Sequence, residues 1–576
     1  MTRPDGGDLL ARTLSDAGVT RAFGVHGGHL DAFLVGCVRH GIALTDTRHE
    51  AAAVNAADGY ARTTGALGVA FATASSGFSN ALAGLTHAFA DRTPLLLITS
   101  SPPLRDAESN VLQGSIDQVA LARPAAKWTH RVTVTEEIPH LVSYAIRVAL
   151  AGAPGPVVLD LPIDVLFRPV REELVHTGGG ARLAAPPAPA PGALAEAAAI
   201  LRDAERPVVI AGRGAHRPGT PPLLQRFAER TGIPVFTQTT QFGAMPADHP
   251  LNGYGATNLG ALAAAGGPPP DAVLMLGARF GMFTGGRSGS LVAPDAKVVQ
   301  VDTDAAEIGH IRGFDVGITA DCGETLAALL AAVSADPAAW PDRTEWARTA
   351  TAVARTEPPF AAEPAEVGGR PHPYHALREV ARAVGPGATF VIDGGEAGSW
   401  AQAVLPDARP YRMLYANGYL GFLGVGAGMA IGTAVADPGR RVVLVVGDGA
   451  AGFHLGEIDT MVRHDLPILT VVVNNAAWGM SIHGQDLVYG KEGQVISELA
   501  DTDYHRAASG LGARGERAAT VAEIAPAVAR LLGDDGPACL NLIVSGEVVH
   551  PVTPMMVGDT TATDEVVVPY YDNVAK

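Results

Sequence analysis

The 33 residues from Gly447 to Gly479 (GDGAAGFHLGEIDTMVRHDLPILTVVVNNAAWG) constrain the fold more than any other part of the chain. The apolar run Arg441 to Val446 precedes them and reads as a strand buried in a parallel sheet. Gly447-Asp448-Gly449 then reads as a tight turn. A single helix is predicted after it, with Phe453, Ile458, Met461 and Val462 at three- and four-residue steps. Ile468 to Val473 is a second apolar strand and ends in Asn474-Asn475. Strand, acidic turn, helix, strand and paired amides make a βαβ unit with oxygen-bearing side chains at both carboxyl ends. Parallel neighbours place Asp448 beside Asn475 at one edge of the sheet. One carboxylate and one amide oxygen suit a hard cation such as Mg²⁺, which keeps waters and also binds phosphate. Gly447 and Gly449 let backbone N–H groups approach a diphosphate at a helix start. An isolated Gly-Asp-Gly is an ordinary turn. Here 24 residues, 450 to 473, separate it from the paired asparagines, and the complete pattern points to the cation and the diphosphate.

The same rhythm runs through the rest of the chain. Helices are predicted over residues 9–18, 30–40 and 51–63, and strands over 19–25, 42–45, 69–73, 95–100 and 155–161. Residues 193–345 repeat it with strands at 208–211, 233–237, 273–276 and 298–302. The fold class is therefore α/β, with three doubly wound parallel-sheet domains. The expected boundaries are an N-terminal domain at 1–170, a linker at 171–192 rich in Pro and Ala, and a central nucleotide-fold-like domain at 193–345. A second linker at 346–372, a C-terminal domain at 373–548 and a tail at 549–576 complete the chain. The tail is expected to pack over an opening or to cover an apolar face. Gly212-Arg-Gly214 in the central domain is an incomplete dinucleotide turn, because Arg217 stands where the third glycine belongs. Gly424, Gly426 and Gly428 have the wrong spacing for such a turn and are expected to pack closely beneath a cofactor.

Net charge is −17, which argues against nucleic acid or an anionic membrane as a partner. The three cysteines, Cys37, Cys322 and Cys539, are far apart and suggest neither a disulfide framework nor a zinc site. The first residues lack an apolar targeting segment and no apolar run approaches the ~20 residues of a membrane span, so a cytoplasmic protein is expected.

The Gly447–Gly479 stretch resembles the diphosphate-binding motif of thiamine diphosphate enzymes. With the three-domain order, the resemblance extends over residues 5 to about 550 to the acetolactate synthase and pyruvate decarboxylase-like superfamily. It implies thiamine diphosphate and Mg²⁺ as cofactors, with Asp448, Asn475 and the Ala477 carbonyl on the metal. Gly447, Gly449 and Ala450 would line the diphosphate. Glu50, which opens a helix after a short strand, would be the carboxylate against the aminopyrimidine, flanked by Gly77 and Asn80. Leu423 would hold the cofactor rings in a bent V, and the Gly421 carbonyl would accept from the 4′-amine. The resemblance further implies a homodimer or homotetramer with active sites at the subunit interface. Some relatives carry FAD in the central domain; FAD is possible here but not favoured.

Within the superfamily the chain is most similar to benzaldehyde lyase-type carboligases. His29 in His26-Gly-Gly-His29, Gln113 within Asn110–Gln118, Lys127–Arg131, and the residues around Gly456 and Trp478 carry that similarity. It implies catalytic roles for Glu50, His29 and Gln113: Gln113 would bind an alkoxide and His29 would relay its proton. Ile163 replaces the large aromatic that benzaldehyde lyases present after Asp-Leu-Pro, so the acceptor pocket should differ. Tyr419, Trp478, Met480, His483 and Met555 are candidates for its wall. The expected reaction is making or cleaving 2-hydroxyketones from aldehyde or 2-oxo acid donors, with small-molecule carbonyl substrates. The alternatives are an acetolactate synthase-type transferase that decarboxylates a 2-oxo acid, and a catalytically silent binding relative.

Overall fold

The computed structural model describes residues 4–106, 112–114, 116–238, 240–281, 284–285, 289, 291–569, 571 and 573–576. Asn110, Val111 and Ser115 of the Gln113 loop, and Tyr570 of the tail, lie outside them.

The first sheet holds β1 (Arg21–Gly24), β2 (Ala43–Asp46), β3 (Gly68–Ala72), β4 (Leu95–Ser101), β5 (Trp128–Arg131) and β6 (Pro156–Pro162), in the order β2-β1-β3-β4-β6-β5. All its pairings are parallel. β3, β4 and β6 are buried along their whole length, as their continuous apolar runs require when helices cover both faces. The second sheet comprises β7 (Pro207–Ala211), β8 (Val235–Thr237), β10 (Asn252–Gly255), β11 (Ala272–Leu276), β12 (Lys297–Asp302) and β13 (Val316–Thr319). Its order is β10-β8-β7-β11-β12-β13, again all parallel. Counted within the sheet this is 3-2-1-4-5-6, the dinucleotide-fold order.

After the small hairpin β14 (Glu366–Val367) and β15 (Arg370–Pro371) comes the third sheet. It contains β16 (Thr389–Asp393), β17 (Arg412–Tyr415), β18 (Val442–Gly447), β19 (Ile468–Asn474), β20 (Arg514–Ala518) and β21 (Ala538–Ile543). Their order is β20-β21-β19-β18-β16-β17, with β9 (Gln241–Phe242) added antiparallel beside β17. The predicted central span of 193–345 is thus not confined to one sheet. Its residues Gln241 and Phe242 form the edge of the third.

The first and third sheets lean on each other through two helices, Glu50–Thr64 and Gly426–Ala436. Val54, Phe78 and Leu85 of the N-terminal part share one apolar core with Met429, Ile431 and Leu444. Glycine permits that approach. A Cβ at Gly428 would lie 2.5 Å from the Ala52 carbonyl oxygen, and one at Gly432 would overlap the Ala56 carbonyl. Gly426 and Gly428 were expected to pack beneath a cofactor. Their close packing is present, against Asp393 and the helix Glu50–Thr64, and Gly424 packs against Phe453.

The single helix expected after Gly449 is two, Asp448–Ala451 and Glu457–Arg463. Phe453 lies in the break and is exposed. His454 Nδ1 is 2.7 Å from the Gly424 carbonyl oxygen, and Phe453 covers Gly424, so these side chains serve a neighbouring loop instead of a helix face. Among the described residues no helix is long and apolar enough to cross a membrane.

Candidate active site

In the third sheet the chain runs from β16 to β17 on one side and then to β18 on the other. The reversal leaves a crevice at the carboxyl ends of β16 and β18, where open α/β sheets bind ligands. Gly394, Gly395 and Glu396 follow β16, and Asp448 follows β18. The Asp448 carboxyl is buried. Its Oδ1 accepts the Gly449 N–H at 3.0 Å, and Oδ2 has no hydrogen-bond partner. Burial pushes its pKa up to about 6 despite the opposing N–H groups of Gly449, Ala477 and Ala476. A buried carboxylate oxygen left without a donor fits a cation better than a structural hydrogen bond. Among the described residues no three His, Cys, Asp or Glu side chains converge on a metal position, so any cation here takes amide or carbonyl oxygens as well.

The two asparagines at the end of β19 do different work. Asn474 is buried and structural: its amide donates to the Thr502 carbonyl and to Asn541 Oδ1, both at 3.1 Å. Asn475 lines the crevice, and its Oδ1 accepts the Ala477 N–H at 3.2 Å. Ala476 between them and Ala477 has φ +56, a left-handed turn that swings the chain back across the strand ends.

A cavity of about 1220 Å³ opens here. Gly421, Leu423, Gly447, Asp448, Gly449, Ala450, Asn475 and Ala477 all line it, so the C-terminal half of the sequence-predicted site converges. Its described lining contains no lysine or arginine and nothing earlier in the chain than Phe242. Glu50, Gly77, Asn80, His29 and Gln113 are therefore not part of it. They sit at the mouth of the first sheet. Glu50 is buried at the first turn of its helix, and its Oε2 accepts the Asn80 amide at 3.0 Å. A Cβ at Gly77 would lie 3.2 Å from Glu50 Oε1. His29 is half-buried with a partnerless Nδ1, and burial lowers its pKa. His26, not His29, is the histidine that pairs with Asp31, at 3.0 Å. Gln113 has φ +55 on the following loop. The loop is tied by Gln118, whose Oε1 accepts the N–H of Ser75, itself at φ +56, at 2.6 Å.

Of the wall candidates, Trp478, Met480 and Met555 line the cavity. Tyr419 lies at a different junction, and His483 stands behind the wall. The tail helix Val552–Val557 brings Met555 and Met556 to the opening. Sequence reasoning missed Glu396. His483 Nδ1 is 2.8 Å from Glu396 Oε2, and His483 Nε2 is 2.9 Å from the Gly546 carbonyl oxygen. Both partners can accept, so the geometry favours the protonated ring, which donates from both nitrogens. Burial opposes that charge, but Glu396 outweighs it and raises the pKa above its ordinary value. Thr553 of the tail helix also donates to Glu396. The buried pair thus ties the tail to the cavity wall. An acid directly after the Gly-Gly that ends β16 was the available signal.

The mouth of the second sheet is occupied by the protein itself. Arg92 of the N-terminal part pairs with Asp302 at the end of β12, with Asp304, and with Glu307, at 2.8–3.1 Å. Arg217 pairs with Asp321 at 3.0 Å. The space left is about 110 Å³, against the ~300–1,000 Å³ of ordinary small-molecule sites.

Family models agree with this layout. The thiamine pyrophosphate enzyme N-terminal TPP binding domain matches residues 4–121, the central domain 194–329, and the C-terminal TPP binding domain 393–542. The chain is similar to the acetolactate synthase large subunit IlvG of Mycobacterium tuberculosis, with 32% identity covering 95% of this chain and 96% of that one. It is 29% identical to the acetolactate synthase isozyme 1 large subunit of Escherichia coli, over 97% and 98%. It is 30% identical to human 2-hydroxyacyl-CoA lyase 2, over 88% and 84%. A cation-ready Asp448 beside Asn475, three α/β domains and full-length relatives together make this chain a member of the thiamine diphosphate-dependent enzymes of the acetolactate synthase and pyruvate decarboxylase-like superfamily.

Proposed function

We propose that the protein is a Mg²⁺-dependent carbon–carbon lyase or carboligase acting on uncharged carbonyl compounds, aldehydes and 2-hydroxyketones. The observation that carries this reading is the cation-free cavity. A 2-oxo acid brings a carboxylate that must be paired when it leaves water, and the half of the site that this cavity supplies offers, among its described lining residues, no lysine or arginine for the purpose. Trp478, Met480, Trp400 and Phe360 instead offer apolar area to an uncharged substrate.

Asp448, Asn475 and the Ala477 carbonyl would hold Mg²⁺, and Gly447, Gly449 and Ala450 would face the diphosphate. When bound, thiamine diphosphate supplies a carbon nucleophile and an electron sink for the carbonyl carbon. The protein's part is to bind, orient and move protons. Leu423 and the Gly421 carbonyl would set the cofactor's conformation, and Glu50 would hold a proton at the aminopyrimidine. Gln113 would donate to the substrate oxygen, and His29, kept neutral by burial, would take up its proton. Since Glu50 does not line the cavity that holds Asp448, a complete site needs the N-terminal half of a second copy. The protein is accordingly a homodimer or a dimer of dimers.

The names of the relatives favour a second reading, an acetolactate synthase-type transferase. Paired turnover with thiamine diphosphate and Mg²⁺ separates the two. One reaction receives pyruvate or another 2-oxo acid, the other an aldehyde or acyloin, and CO₂ and products are followed in both. Acyloin formed or cleaved without CO₂ is expected. CO₂ release with an acetolactate-type product would replace this reading with the second.

A further inference from the structure

The N-terminal part contains a charge cluster that no step above uses. Asp58 and Arg62, one turn apart on the helix Glu50–Thr64, are fully buried and paired at 2.7 and 3.0 Å. The same guanidinium donates to Asp91 Oδ2 at 2.6 Å, and Thr93 donates to Asp58 Oδ1 at 2.7 Å. His87 Nδ1 lies 3.1 Å from Asp58 Oδ2. Burial works against these charges. The attraction of Arg62, then of His87, nonetheless holds both carboxyls below the usual carboxylate range.

Asp91 uses its other oxygen on a different domain. Oδ1 accepts the Tyr419 N–H at 2.9 Å, and a Cβ at Gly418 would lie 2.6 Å from Oδ2. Gly418 has φ +58, so that position needs glycine for both space and conformation. From above, the Arg279 guanidinium of the central domain covers the Tyr419 ring at 3.7 Å and donates to the Ala90 carbonyl at 2.8 Å. The Phe422 ring meets the His87 ring edge-on at 5.6 Å. The N-terminal and central domains therefore both grip the C-terminal domain's loop 418–424, and two residues of that loop, Gly421 and Leu423, line the large cavity.

We infer that Asp91, held by Arg62 and seconded by Arg279, is a positioning residue that fixes the loop 418–424 against the organic rings of the cofactor. The inference rests on the roles proposed above for Gly421 and Leu423. The Asp91 contact reaches only this loop; the diphosphate end of the site, Gly447 to Ala450 with Asn475, is carried by β18 and β19. The two ends of the ligand should therefore respond differently.

The test measures binding of thiamine diphosphate and of inorganic diphosphate, each with Mg²⁺, to full-length wild type, Asp91→Asn and Arg279→Met by titration calorimetry. Asp91→Asn should weaken thiamine diphosphate about tenfold, the loss typical of a group that supports a contacting one, and leave inorganic diphosphate within about twofold. Arg279→Met, at a partly exposed residue and so tolerable to the fold if Asp91→Asn is not, should show the same asymmetry more weakly. Equal loss of both ligands, or loss of neither, overturns the inference while leaving the functional reading intact. A wild-type chain that binds inorganic diphosphate but not thiamine diphosphate overturns both.

Discussion

Counted within each sheet, and leaving β9 aside, the first and third sheets have the same strand order, 2-1-3-4-6-5. Each opens a crevice at the same place, between its first and third strands. The third fills that mouth with Gly447-Asp448-Gly449 and a buried carboxylate oxygen that has no donor. The first fills it with Glu50, an acid already supported by Asn80 at 3.0 Å, and with the half-buried His29. Under the proposed reading, one backbone plan would supply an anion-and-cation cradle in one domain and proton-handling groups in the other. The topology fixes where a site can be, and the residues at the strand ends decide which half of the chemistry it serves.

Variants can separate the halves. Glu50→Gln should slow exchange of the cofactor C2 proton by ~10²–10⁴. It should leave Mg²⁺-dependent binding of inorganic diphosphate unchanged, since Glu50 lies outside that cavity. Measured exchange close to wild type would remove Glu50 from its proposed role. Asp448→Asn should do the reverse, weakening Mg²⁺-dependent binding by at least the ~10–100-fold lost when only a supporting group is removed. Without Mg²⁺ the same variant should be the more stable protein, by about 1–3 kcal/mol in chemical denaturation at neutral pH, because a neutral amide replaces a carboxylate whose charge burial disfavours.

Mixing the two inactive variants joins the halves again. If the site spans two copies, half of randomly paired dimers carry one intact site of two, and about a quarter of wild-type turnover should return. No recovery on mixing would place Glu50 and Asp448 of one chain in the same site. The smallest effect concerns the tail. His483 has an ordinary pKa of 6.5, raised in the fold. The stability it lends Thr553 and the helix Val552–Val557 is complete below about pH 6.5 and is lost as pH rises through the raised value. Amide exchange in that helix should therefore speed up by roughly fivefold across that rise, relative to a His483→Gln protein whose exchange lacks the step.

The two halves also differ in how legible they are. Asp448 and Asn475 could be read directly because one continuous βαβ unit carries both, and parallel pairing of β18 with β19 makes them neighbours. Glu50 is an ordinary helix-opening acid when read alone, and only resemblance singled it out. The strands were recognisable as apolar runs because both faces of each sheet are covered. The broken helix around Phe453 was not, since its apolar spacing imitates a helix while His454 and Phe453 are engaged with Gly424. Glu396 and His483 are 87 residues apart in sequence. Their pairing depends on packing between the helix Glu396–Ala403 and the helix Gly479–Tyr489, which periodicity does not encode. Asp302 showed the same limit. It ends β12 at the mouth of the second sheet, yet its partner is Arg92 from the first domain.

The two-residue strand β9 bears on how such a chain can be taken apart. It leaves the middle of the second domain to lie antiparallel beside β17, with Phe242 opposite Met413 and Gln241 opposite Leu414. Phe242 also lines the large cavity. The central region is consequently not a cassette. A chimera that exchanged it as a block would import a foreign selvedge for the sheet that carries Asp448, and an excised C-terminal fragment would present an unfinished border to its neighbours in solution.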